Sequence, residues 1–240
     1  MKPANEGTDG HVPPLVVVTG AGRGVGFETA LALATEHEVD VLAVSRDVSA
    51  WAAASNGGRV RSLMADVSTD EGRAEVVHAL GDRALAALVN NAGTLLKRRL
   101  GEWRAGDLDH LFAVNANSPL MLTQALLPAL RRASAAHVVN ISSMGGFQGS
   151  AKFPDLIGYS ASKAALACMT ECLAEELKDT SIRCNCLCLG AVDTAMLRDA
   201  FPGYQAQVSP KSMGAFVAEF VLNGHNLLNG KVLPVSLSTP

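Results

Sequence analysis

Tyr159 and Lys163 are the residues of this sequence whose types and spacing most directly suggest chemistry. They stand four apart in Gly158-Tyr159-Ser160-Ala161-Ser162-Lys163. An amphipathic run from there through Leu177 reads as a helix, so the two side chains share one face about a turn apart. A free phenol ionises near pH 10, and a cation on the same face lowers that value by stabilising the phenolate. Lowering it by about three units takes about 4 kcal/mol, much of which a lysine partly withdrawn from water supplies. The expectation is a tyrosine that exchanges protons near neutral pH because Lys163 depresses its pKa. Taken alone, Tyr-x-x-x-Lys more often means an interfacial tyrosine and a solvated lysine, so the elements that position the pair must decide.

Those elements alternate. Leu15 to Thr19 is a short apolar, β-branched run that reads as a buried strand. A helix from about Val25 to Thr35 follows it. Strands are expected at Val39–Ser45, Val60–Met64, Ala87–Asn90, His137–Ile141, Ile182–Cys188 and Lys231–Val235. Pro234 suggests that the last lies at a sheet edge. Thr69 is placed to cap a helix running to Leu80. A long helix from Ala105 to Arg132 is expected to kink near Asn115 to Pro119, where Pro119 removes a backbone donor. Pro210 opens a further helix to about Leu222, and only a short helix fits around Val48 to Ala53. Several strands are apolar without alternation, the pattern of a parallel sheet covered on both faces.

Between the first strand and the first helix lies Thr19-Gly20-Ala21-Gly22-Arg23-Gly24-Val25-Gly26. Glycines there permit close backbone approach by a ligand, and the helix start offers free N–H groups to a phosphate. The common Gly-x-Gly-x-x-Gly spacing does not fit, because Val25 and Phe27 stand where its third glycine would be. A nucleotide is still the better reading of a glycine loop in that position.

Composition narrows the field. The 240 residues are 48% hydrophobic and 18% charged, with a net charge of −3. That suits one globular domain and gives no basic footprint for nucleic acid. No apolar run reaches the ~20 residues of a membrane span. Residues 1–14 read as a loose tail without a signal peptide, and 15–240 as one domain. The five cysteines include Cys184, Cys186 and Cys188 on one strand face. A thiolate metal site is conceivable there, but a plain core face is the expected reading, with no metal. Reduced thiols suit a cytoplasmic protein.

Thr19-Gly-x-x-x-Gly-x-Gly26, Asn90-Asn91-Ala92-Gly93, Asn115, Ile141-Ser142-Ser143 and Tyr159-x-x-x-Lys163 occur in the order found in the short-chain dehydrogenase/reductase family. Over residues 15 to 237 the chain resembles that family; each motif is weak, but their joint order is specific. The resemblance implies an α/β fold: a single doubly wound Rossmann domain with seven mostly parallel strands and helices on both faces. It implies Tyr159 as acid/base on a substrate oxygen, Ser143 rather than Ser142 positioning that oxygen, and Lys163 on the nicotinamide ribose. Asn115 would hold a water that links Lys163 to solvent. For the cofactor it implies the loop residues Gly20, Gly22, Arg23, Gly24, Val25 and Gly26, then Asp66 and Val67 at the adenine. Asn91, Ala92 and Gly93 would lie beside it, with Gly190, Val192 and Thr194 on the nicotinamide side.

Ser45 ends the second strand where an NAD site usually places an acid, Arg46 follows, and Arg23 sits in the loop, so NADP(H) is the expected cofactor. Asp47 could turn toward Arg46 and blunt that preference. The expected activity is hydride transfer between nicotinamide and a carbonyl or secondary alcohol. A catalytically silent NADP-sensing protein is the alternative, and a sugar-nucleotide epimerase would need more chain after Thr194. Met144, Phe147, Phe153, Leu156, Met196, Phe201 and Tyr204 are candidates to line the substrate end. A homodimer or homotetramer is expected through apolar faces of the Tyr159 helix and the long helix before it. The chain departs from the family at Leu189-Gly190, where Pro-Gly is usual, in a longer segment between Ser143 and Tyr159, and in lacking Asp-Gly-Gly after the last strand.

Overall fold

Leu15–Thr19 (β1) is buried at all five positions, which an apolar run without alternation requires: both faces of the strand must be covered. The computed structural model describes residues 13–54 and 57–237. The expected tail therefore lies, up to residue 12, outside the described residues, as does Ser238. β1 is followed by α1 (Gly24–Glu36), β2 (Asp40–Ser45), β3 (Val60–Met64), α2 (Asp70–Leu80) and β4 (Ala87–Asn90). Then come α3 (Ala105–Phe112), α4 (Ser118–Arg132), β5 (Ala136–Ser143), α5 (Ile157–Glu176) and β6 (Ile182–Leu189). α6 (Ala195–Ala200), α7 (Pro210–Asn223) and β7 (Val232–Val235) complete the chain.

The seven strands form one sheet in the order β3-β2-β1-β4-β5-β6-β7. Every pairing is parallel, β7 included. The order reverses between β1 and β4, so the crevice at their carboxyl ends is the natural place for a ligand. Period-two alternation sends side chains of one strand into two cores. Val16 and Val18 pack with α1 and α7 residues such as Leu33 and Val217. Val17 packs with Val76 of α2 and with Leu122 and Leu126 of α4. Pro234 lies on β7, at the sheet edge.

Three departures from expectation have local causes. The long helix does not simply kink at Pro119. Residues Ala113–Asn117 form a π turn, with the Ser118 N–H reaching the Ala113 carbonyl, five residues back. Pro119 has no N–H to offer Asn115, and it sits at the tolerated first positions of α4. β5 and β6 run past their expected ends, to Ser143 and Leu189, because each continues to pair with the other there. α6 was not expected; six residues are too few for a helical period, and its signal is the Thr194 cap, whose Oγ1 accepts from Leu197 N–H at 3.2 Å. By contrast Thr69 caps α2 as its type suggests, accepting from Gly72 N–H at 3.0 Å.

Candidate active site

The carboxyl ends of β1, β4, β5 and β6 open into one cleft of about 750 Å³. Its first wall is the glycine loop. Gly24 has a φ of 60°, open to glycine at little cost. A Cβ on Gly26 would stand 2.2 Å from Asn91 Nδ2, so only glycine lets α1 start so close to β4. Asn91 explains that closeness: its Nδ2 donates to Thr19 O at 3.0 Å and to Gly20 O at 3.2 Å. Thr19 Oγ1 accepts in turn from the N–H groups of Asn91 and Ala92. From behind, Trp51 donates to Ala21 O at 2.9 Å and packs on Phe27. α1 begins with no side-chain cap and no acidic residue in its first turn, so its N–H groups and dipole face the cleft uncompensated.

Ser45, Arg46, Arg23, Asp66 and Val67 line the same end. Among the described residues neither guanidinium forms an ion pair of the kind Arg59 or Arg83 makes with Asp40. Asp47 does not turn to Arg46: its Oδ1 accepts from Ser49 N–H at 2.9 Å, and that bond holds its carboxyl below the usual value, with Arg23 as the nearby cation. Burial pushes the Asp66 carboxyl up, but the Ser68 hydroxyl and N–H, and then Arg46, outweigh it and leave a net lowering. Ser68 Oγ donates to Asp66 at 2.7 Å.

On the opposite wall, Gly190 N–H donates to Val235 O at 2.8 Å. Val192 bridges to Val208. The Thr194 methyl stands across the cleft from Gly24, 3.4 Å from where a Cβ would be. Gly20, Arg23, Gly24, Val25, Asn91, Ala92, Gly93, Gly190, Val192 and Thr194 are thus brought to one surface. Gly22 and Gly26 are not on it. They are the packing side of the loop, Gly22 against Ser45 and Asp47.

At the floor, Ser143 and Tyr159 meet. Ser142, the rival serine, lines the cleft too, but its hydroxyl is spent donating to Lys163 O at 2.8 Å. Ser143 Oγ faces the Tyr159 hydroxyl and accepts from Gly145 N–H at 3.2 Å. Lys163 is buried, 4% exposed, and its Nζ donates to Ile141 O at 2.8 Å. The expectation that Lys163 depresses the phenol is not met in this arrangement. Burial pushes Tyr159 above its ordinary value, Ser143 offsets only part of that, and the lysine charge is directed at a carbonyl. Burial also draws Lys163 itself down, to about 8.

Asn115, held by the π turn, is fully buried. Both its amide hydrogens are used, on Thr94 O at 2.9 Å and Ser162 Oγ at 3.0 Å, while Oδ1 accepts from Thr94 N–H at 2.8 Å. The side chain is a brace and has no hydrogen left for a water. Both its Oδ1 and Lys163 Nζ lie 3.3 Å from where a Gly93 Cβ would stand.

Cleft residues that sequence reasoning missed include Thr94 and His110. Thr94 directly follows the Asn90–Gly93 motif, and that adjacency was its available signal; His110 on α3 had none. Phe147 is a correction. It packs away from the cleft beside Met144, Ala167, Cys186 and Cys188, whereas Met144, Phe153, Leu156, Met196, Phe201 and Tyr204 do line it. Cys184, Cys186 and Cys188 are fully buried, and burial pushes the Cys184 thiol up to about 12.

A family model described as short chain dehydrogenase matches residues 14–205. The ketoacyl reductase HetN of Nostoc sp. is 31% identical over 219 residues, covering 87% of this chain and 75% of that protein. Among solved structures, a 3-ketoacyl-(acyl-carrier-protein) reductase from Brucella melitensis, complexed with NADH, superposes with a TM-score of 0.81 at 25% identity. It covers 93% of this chain and 96% of the other. A putative NAD(P)-dependent gluconate 5-dehydrogenase from Beutenbergia cavernae, with bound NADP, gives a TM-score of 0.81 at 27% identity, covering 93% and 95%.

Proposed function

Because the chain belongs to the short-chain dehydrogenase/reductase family, oxidoreductases on a Rossmann-like fold, we propose that it is an NADP(H)-dependent enzyme. Its reaction is hydride transfer between nicotinamide and a carbonyl or secondary-alcohol carbon. The observation that carries this reading is a single cleft: Tyr159, Ser143 and Lys163 line the same cavity as Gly24, Arg23 and Arg46.

The residues present suit a dinucleotide. An uncapped α1 start suits a pyrophosphate, and two guanidiniums that form no close salt bridge among the described residues suit a ribose 2′-phosphate. When bound, the cofactor supplies the hydride and its electron pair. Tyr159 then gives its proton to the carbonyl oxygen, so the ketone is reduced to an alcohol and the cofactor is oxidised. The phenol, which burial raises above its ordinary value, is protonated at neutral pH and so holds the proton that reduction consumes. Ser143 orients the oxygen. Lys163 binds the ribose and returns a proton to Tyr159. Asn115, with both amide hydrogens used, would offer a water on that path only an oxygen acceptor. Asp66 and Val67 meet the adenine, and Val192 and Thr194 the nicotinamide amide.

One continuous sheet supports reading residues 15–240 as one domain. The five cysteines are free, which suits a reducing, cytoplasmic setting, and no described helix is long and apolar enough to cross a membrane. Ala161, Ala164 and Cys168 on α5 and Met121 on α4 are exposed and support a homodimer or homotetramer through that face. Leu122, Leu126 and Ala167 on the same two helices are buried within the subunit and do not belong to that face. Light scattering tests the assembly. For the activity, NADPH is mixed with ketones, quinones and acyl thioesters. Oxidation of NADPH supports the reading; tight NADPH binding without turnover on any of them supports the sensor instead.

A further inference from the structure

The substrate end of the cleft is made by three segments that hold one another. Phe153, on the loop after β5, meets Phe201, just past α6, edge to face with ring centroids 6.3 Å apart. Lys97, on the segment after β4, lies with Nζ 4.6 Å from the Phe201 ring centroid. The same Nζ donates to Ala200 O at 3.1 Å. The Arg98 N–H donates to Asp155 O at 2.9 Å, which ties the first segment to the Phe153 loop.

Both rings line the cleft. Phe153 is 50% exposed and Tyr204 beside them 53%, so aromatic surface stands open inside a cavity. Leu95, Met144 and Leu156 continue the wall. Arg198 of α6, which lines this end, is paired with Asp193 just before the helix at 2.7 Å. A carboxylate substrate would lose its hydration in this end, where Arg198 is already paired and Lys97 is engaged by Ala200 O and the Phe201 ring. A ring, in contrast, would cover apolar area and complete aromatic contacts with both phenyl groups.

Resting on the reductase reading above, we propose that the substrate is an uncharged ketone with an aromatic or alicyclic ring beside its carbonyl. Phe153 and Phe201 clasp that ring. Lys97 is a positioning residue: it fixes Phe201 by a cation–π contact and ties α6 by its bond to Ala200.

The test measures binding where no reaction can occur, to the full chain saturated with NADP⁺, by ligand-observed NMR. The probes are acetophenone, acetone and pyruvate. Acetophenone is expected to bind at least about tenfold more tightly than acetone, and pyruvate no better than acetone. Phe153→Ala and Phe201→Ala should each weaken acetophenone by about tenfold, with NADP⁺ affinity retained as the folding control; Phe→Leu versions serve if an alanine variant fails that control. Lys97→Met should weaken it several-fold and raise KM more than it lowers kcat with NADPH, and Lys97→Arg should restore it. Pyruvate bound as tightly as acetophenone, no acetophenone binding, or binding indifferent to Phe153 and Phe201 overturns the clasp and leaves the reductase reading standing. Acetophenone bound through both rings yet never reduced by NADPH leaves the clasp and overturns the reductase reading.

Discussion

At the start of β5, His137 is fully buried. Its Nδ1 lies 2.9 Å from Val221 O and its Nε2 3.0 Å from Asn185 Nδ2. Asn185 Oδ1 accepts from Lys231 N–H and its Nδ2 also donates to Leu228 O. Asn185 must therefore donate to Nε2, and His137 is the neutral tautomer that donates from Nδ1 to Val221. At the other end of the same strand, Ser143 faces Tyr159 and the cleft, above a buried Lys163 held by one carbonyl. Both clusters are buried and polar. The first uses both ring nitrogens of His137 and both amide hydrogens of Asn185 between α7, β5, β6 and the turn before β7; the second leaves hydroxyls facing a cavity. A fully satisfied buried network braces a fold, whereas an incompletely used one beside a cleft is free to do chemistry.

The largest effect that separates the two ends is expected from Tyr159→Phe. Turnover should fall by about 10²–10⁴-fold while NADPH affinity, measured by fluorescence titration, is held. Retained turnover would make the cleft cluster as structural as the His137 cluster.

Next come two stability profiles with opposite pH windows. Burial lowers His137 from 6.5 to about 4. The unfolded chain then binds more protons between those values, so His137 contributes stability above pH 6.5 that is lost as pH falls toward 4. The loss totals about 3 kcal/mol. Lys163 falls from 10.5 to about 8. By the same sign, the unfolded chain binds more protons between 8 and 10.5, and this group's contribution rises across that window by about 3 kcal/mol at most. Urea unfolding of the apoprotein against pH should lose the acid slope in His137→Gln and the alkaline rise in Lys163→Met. Profiles unchanged by either substitution would contradict the assigned burial costs.

The smallest effect is cofactor choice. Ser45→Asp with Arg46→Ala should reduce the preference for NADPH over NADH by about 10–100-fold, the scale of charge-assisted bonds worth about 1.5–3 kcal/mol. High salt should narrow the wild-type preference, since exposed pairs are screened. Equal wild-type affinity for the two cofactors at low ionic strength would sink the assignment without touching Tyr159.

The two ends of β5 also differ in how readable they were. The cleft end depends on residue types with few substitutes, such as Gly26 against Asn91 or a tyrosine and lysine one helical turn apart, and these stood out in the chain. His137 and Asn185 did not, because their partners are main-chain carbonyls and N–H groups whose positions only the fold sets. Strand Val60–Met64 and the Thr69 cap were legible from apolar pattern and side-chain type. The sign of the Tyr159 shift was not, because spacing places Lys163 on the right face but cannot show where its Nζ points. Phe147 and Phe153 are six residues apart in one loop and end on opposite sides of it, a choice made by packing.

The most direct measurement uses NADPH carrying deuterium at both C4 positions, with acetophenone as the carbonyl probe and mass spectrometry of the alcohol formed. Wild-type protein is expected to place deuterium on the carbinol carbon, and Tyr159→Phe to lose nearly all labelled product at matched cofactor saturation. Alcohol formed without the label, or labelled at the wild-type rate by Tyr159→Phe, would contradict that expectation.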